Sequence, residues 1–104
     1  MTESEFLTMA DQCLQQVEEI FEKAFENDEY DVECKRSGNV LEVEFVNNGS
    51  KIIINSQAPM QEMWMAARSG GFHYKHDGHG WKNTRDQTDF FETLAKVAQA
   101  QALN

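Results

Sequence analysis

The hydrophobic period of this chain changes once, near residue 28, and that change constrains the fold more than any other feature. From Phe6 through Ala10, Cys13, Val17, Ile20 and Ala24, apolar side chains recur every three or four residues, with Leu14, Phe21 and Phe25 widening the same face. Thr2 and Glu5 have the spacing of a capping box, and neither Pro nor Gly occurs before Gly38. The expectation is one helix from Glu3 to Glu26, about 36 Å long at 1.5 Å per residue.

Beyond it the period is two. Tyr30, Val32 and Cys34 alternate with Asp31, Glu33 and Lys35, and Leu41, Val43 and Phe45 alternate with Glu42 and Glu44. The turn sequences RSGN and NNGS separate these runs from each other and from the β-branched KIIIN, which gives three antiparallel strands joined by hairpins. After Pro59 breaks the pairing, MQEMWMAAR fits a helix or a strand by pattern. GGFHYK reads as a strand, HDGHG as a turn and WKN as a short last strand. From Asp86 onward the chain reads as helix, with Phe91, Leu94, Ala98 and Leu103 on one face. Helices at both ends of an antiparallel meander predict an α+β fold. In this two-layer α-β sandwich the N- and C-terminal helices pack on one face of the sheet and the other face meets water.

With 104 residues the chain has the length of one domain spanning 1–104 and can bury one ordinary core. No apolar run approaches the roughly 20 residues of a membrane span. The acidic start MTESEFLTMAD lacks the basic region of a secretory signal, so a cytoplasmic protein is expected. Cys13 and Cys34 sit among apolar neighbours with no Cys or His at metal-ligand spacing, and both read as reduced core residues.

Charge is distributed unevenly. The net charge is -9, and residues 18–33 carry -7 of it: Glu18, Glu19, Glu22, Glu26, Asp28, Glu29, Asp31 and Glu33 against the single base Lys23. Such a patch disfavours nucleic acid and anionic membranes and favours cations or a basic protein surface. Glu18, Glu22 and Glu26 follow at i, i+4 and i+8 near a helix C-terminus, where only Glu19 and Lys23 offer a compensating pair. Each like-charged pair there costs ~0.2–0.5 kcal/mol, and each acid near the negative end of the dipole another ~0.3–1 kcal/mol. A solvated helix face is the plain structural reading. The functional one is that strain without structural gain marks a site. Carboxylates without His or Cys suit hard cations such as Mg²⁺, Ca²⁺, Mn²⁺ or iron, and an open ridge implies weak, exchangeable binding. DEYDVE lacks the glycine and ligand alternation of an EF-hand.

Other constellations are weaker. His73, His76 and His79 are spaced for a helix but lie in a strand and turn, where i and i+3 point to opposite faces, so they are not expected to share a metal. No P-loop, G-x-S-x-G, H-E-x-x-H or C-x-x-C is present, and no acid has an evident partner to tune it for acid-base chemistry. No catalytic residue is expected. If MQEMWMA is a strand, Trp64 shares a face with Met60 and Glu62. It then either anchors an interface on the uncovered face or fills the core.

The segment GSKIIINSQAPMQEMWMAARSGGFHY, the distal Trp81, the opening SEFLTMADQCLQQVEEI and the acidic run together resemble bacterial frataxin, the CyaY family, over essentially the whole chain. The combination N-x-Q-x-P-x4-W followed by Gly-Gly-aromatic-His carries the resemblance. It implies a frataxin-like sandwich with MQEMWMA as a strand, a cytoplasmic location and weak binding of Fe²⁺ and Fe³⁺ on the acidic ridge. It also implies a role in iron-sulfur cluster assembly as iron donor or iron-dependent regulator, through contacts with a cysteine desulfurase and its scaffold protein. Glu18, Glu19 and Glu22, with Asp31 and Glu33 on the first strand, match the family's ridge. Asn55, Gln57 and Trp64 match its partner-facing sheet surface. Lys23 stands where bacterial relatives carry an acid, FENDEYD is slightly longer than the usual stretch, and Glu62 replaces the usual Gln. A monomer is the expected state. Two rival expectations are a docking module whose metal binding is incidental and an iron-oxidising, ferroxidase-like enzyme.

Overall fold

The computed structural model describes residues 1–103. Helix α1 spans Glu3–Glu26. Its capping box is formed: the Thr2 hydroxyl accepts from the Glu5 N–H at 3.1 Å, and the Glu5 carboxylate accepts from the Thr2 N–H at 2.9 Å. The strands are β1 (Val32–Ser37), β2 (Val40–Phe45), β3 (Lys51–Gln57), β4 (Glu62–Ala67), β5 (Gly70–His76) and β6 (Trp81–Asn83). A 3₁₀ turn at Ala58–Met60, with Pro59 inside it, separates β3 from β4, and helix α2 spans Phe90–Ala102.

Each strand pairs antiparallel with its sequence neighbour, giving one six-stranded sheet in the order β1-β2-β3-β4-β5-β6. The frataxin-like expectation holds, with two helices on one face and EMWMAA as strand β4, but Met60 and Gln61 lie outside that strand, in the 3₁₀ turn and its left-handed cap, so Met60 does not share the strand face of Trp64 and Glu62. Alternation decides what each face carries. Leu41, Val43, Ile52, Ile54, Met63, Met65 and Tyr74 are buried beneath the helices, each side chain worth ~1.5–3 kcal/mol of burial. The other face presents Glu33, Glu42, Asn55, Glu62, Trp64, His73 and Lys75.

Helix boundaries and faces need corrections. At about 100° per residue, the buried residues of α1 fill an arc of about 100°, from Cys13 at one margin to Leu14 at the other. Ile20 falls about 20° beyond the first margin and Phe25 about 20° beyond the second. They are 40% and 53% exposed instead of joining the core. Helix α2 starts at Phe90, not Asp86, because Asp89 caps it by accepting from the Phe91 and Glu92 N–H groups. Residues 84–86 form a turn instead, followed by Gln87 at φ 65°. Phe90 is the buried aromatic and Phe91 only half-buried, while Leu103 is 80% exposed. Gln101 takes the inward position near the end of α2. Its amide donates to Ser50 Oγ and the Lys51 carbonyl and accepts from the Arg68 N–H, so its burial leaves no polar group orphaned.

Candidate functional site

The acidic run lies at one edge of the molecule, where α1 ends and the edge strand β1 begins. Glu18, Glu22 and Glu26 continue round α1 from the Leu14 margin of the buried arc, toward β1. Glu18 Oε1 lies 3.6 Å from Arg36 Nη1 of β1, and the same guanidinium pairs with Asp11 and donates to the Gly38 carbonyl. The expected Glu19–Lys23 pair does not form; among the described residues Lys23 makes no ion pair. Both side chains stand on the outer surface of α1, where such a pair is worth little. Arg36 is held by its bond to Gly38 and presents a rigid fork to two acids at once.

Helix α1 ends in a Schellman motif. The Glu29 N–H donates to the Ala24 carbonyl at 2.8 Å and the Asp28 N–H to the Phe25 carbonyl at 3.1 Å. Asp28 therefore occupies the left-handed position, φ 58°, that usually belongs to glycine. Glu29 and Asp31 are exposed in the connection, and Asp31 lies just before β1, not within it. Glu33 projects from the open face and stands directly across from Glu44. The eight acids thus line both sides of one sheet edge: Glu18, Glu19, Glu22 and Glu26 on the helix, Asp28, Glu29 and Asp31 around the corner, and Glu33 on the far face. Among the described residues no three His, Cys, Asp or Glu side chains gather closely enough to hold a metal ion. Any ion bound here relies on movement of exposed carboxylates.

Cys34 lies between these groups. Burial pushes its thiol up to about 11, with Glu18 and Glu22 adding to the shift. Cys13 is pushed up to about 12 by burial and by Asp89. Both are free thiols, Cys13 in the core and Cys34 half-buried at the margin.

On the open face two rows of side chains cross the sheet. Asn55, Trp64 and His73 are in register in one, and Gln57, Glu62, Lys75 and Lys82 in the other. The Trp64 and His73 rings stack at 4.3 Å and 5°. Glu62 is the hub. With its side chain 12% exposed, it accepts from the Trp64 indole N–H at 2.8 Å and lies 3.5 Å from His73 Nδ1 and 4.0 Å from Lys75 Nζ. Asn55, Gln57 and Trp64 therefore share the open face, and Trp64 is half-buried by its neighbours on that face instead of entering the core. His76 is on the opposite face from His73, edge-on to Trp81, and its Nδ1 accepts from the Gly78 N–H. Arg36 and His73 were not singled out as site residues from the sequence. The Trp64–His73 stack was within reach, because the ARSG turn fixes the β4–β5 register.

A two-layer sandwich with an acid-lined edge and an uncovered polar sheet face is the architecture defined here. The frataxin-like domain model matches residues 1–104, and the chain belongs to the frataxin-like family. It is 56% identical over 101 residues to the iron-sulfur cluster assembly protein CyaY of Herminiimonas arsenicoxydans, covering 97% of this chain and 90% of that protein. The CyaY of Janthinobacterium sp. (strain Marseille) matches to the same extent. Among solved structures, frataxin from Psychromonas ingrahamii superposes with a TM-score of 0.88 at 33% identity, covering 100% of this chain and 94% of that one. A trimeric frataxin from Saccharomyces cerevisiae, complexed with ferrous iron, superposes at 0.76 and 22% identity, covering 91% and 86%, a likeness of fold.

Proposed function

We propose that this protein acts in iron-sulfur cluster assembly in the cytoplasm, as a monomeric, non-catalytic iron-binding protein that donates iron to, or regulates, a cysteine desulfurase and its scaffold. The observation that carries this reading is the concentration of eight acids at one edge, of which, among the described residues, only Glu18 is paired with a base. The curated relatives, named as cluster assembly proteins, supply the pathway. Iron is cargo in this reading. Exposed oxygen ligands without a closed cage take hard cations weakly and release them readily. The acidic edge meets a basic surface on the desulfurase, and Asn55, Gln57 and Trp64 offer the open face to the scaffold. No helix among the described residues is long and apolar enough to cross a membrane.

Anaerobic Fe²⁺ titration followed by NMR tests the metal part. Shifts concentrated at residues 18–33 support it, and shifts concentrated at His73, His76 and His79 overturn it. That no three-ligand cluster forms among the described residues favours a second reading, in which the acids serve docking and metal binding is incidental. Replacing Glu18, Glu19 and Glu22 by Lys separates the two: that reading expects docking without metal to be lost, and unchanged affinity defeats it. Turnover of Fe²⁺ under air, abolished by the same changes, would instead identify a ferroxidase-like activity.

A further inference from the structure

We propose that β1 is a strand-addition site, where an extended Arg- or Lys-rich segment of a partner pairs with the free edge of the sheet. This rests on the docking part of the function proposed above and supplies its geometry. The hydrogen-bond phase of the β1–β2 pair fixes which groups are free. The Val46 N–H donates to the Asp31 carbonyl at 3.0 Å, and the register pairs Val32 with Phe45 and Ser37 with Val40. The peptide groups of Glu33, Lys35 and Ser37 therefore face β2, and those of Val32, Cys34 and Arg36 face outward. β1 is six residues long without Pro, whereas β6 at the opposite edge has three residues and is bridged from Lys82 to Asp89. A long open edge normally invites pairing with another copy of the same chain. Here that contact would bring two clusters of -7 together, so charge excludes self-pairing and selects a basic strand.

The second observation is a groove of about 200 Å³ on the helix side of this edge, lined by Phe21, Glu22, Phe25, Glu26, Val32 and Cys34. Its walls are apolar and its rim acidic. That profile fits an Arg or Lys side chain, whose aliphatic stem covers apolar surface while its charged head reaches a carboxylate. An added strand places alternate side chains on the helix side. A basic residue opposite Cys34 then lays its stem over Phe25 and its head at Glu22 and Glu26. Burying Phe25, exposed as the chain stands, gives that residue a role the core does not.

The test uses a seven-residue peptide of alternating threonine and arginine, and the same peptide with its backbone amides N-methylated. NMR reads affinity and amide exchange. The plain peptide is expected to slow exchange at the Cys34 and Arg36 amides. The N-methylated one should bind roughly tenfold more weakly, the effect of losing one or two net hydrogen bonds. Phe25→Ser, at a position already exposed, should weaken the plain peptide severalfold. Equal affinity of the two peptides, or no protection at Cys34 and Arg36, overturns strand addition and leaves docking by charge alone. Fe²⁺ titration of Phe25→Ser keeps the readings separate: iron binding should be unchanged whether or not strand addition survives.

Discussion

Single residues set both the strength and the limits of the site. Glu62 holds the open face together, because its carboxylate serves the Trp64 indole, His73 and Lys75 at once. Glu62→Ala is expected to cost ~1–2 kcal/mol and to move the Trp64 indole proton resonance, while Glu62→Gln keeps an acceptor and loses less. An unmoved indole resonance in Glu62→Ala would show that the hydrogen bond does not hold Trp64 in solution. The thiols give a prediction with a definite sign. Cys34 and Cys13 titrate at about 11 and about 12 in the fold, above their value in the unfolded chain. Folding therefore holds protons that the unfolded chain releases. The stabilisation is complete below the ordinary thiol range near 8.5 and is lost as pH rises from there through 11 to 12. Denaturation midpoints should fall between pH 8 and 11, less steeply in the Cys13→Ala/Cys34→Ala double variant, and an identical slope would contradict the burial. The burial of Cys13 was legible from its apolar neighbours, whereas Cys34, expected in the core as well, is only half-buried at its margin. The Arg36–Glu18 contact was not legible, because it depends on β1 lying beside α1, a proximity that local spacing does not encode.

At the scale of elements, α1 shows how far a pattern reaches. Its start, its end and its central buried face could be read directly, since capping chemistry and helical period are local. The margins of that face could not, because whether Ile20 and Phe25 are covered depends on how wide a strip the sheet shields. MQEMWMAAR was ambiguous for a related reason: two-sided apolar runs satisfy both periods, and only pairing with β3 and β5 decides. The end of α1 carries its own prediction. Asp28 spends a left-handed conformation and a negative charge at the negative end of the helix dipole. Asp28→Gly relieves both and should stabilise the protein by ~0.5–1 kcal/mol in chemical denaturation, and a loss of stability would refute the strain.

For the whole molecule, the decisive property is that charge of one sign sits at one edge. Raising NaCl from about 20 to about 200 mM, or adding millimolar Mg²⁺, should raise the melting temperature by screening that edge. No change would mean that solvent already relieves the repulsion. Association with a basic partner should slow over the same salt range. The fold class was legible because helix, meander and helix leave few arrangements. The site was legible as a charge but not as a shape, because the sequence does not show that Glu33 stands on the far side of the sheet from Glu22. The sequential strand order also governs how the protein is made. Each hairpin can close as soon as its second strand emerges, but α1 is synthesised first and needs β1 and β3 beneath it. At roughly 5–20 residues per second, Phe6 waits some seconds for its ring partner Trp81. During that interval the acidic stripe is the side of the nascent helix that keeps it in water.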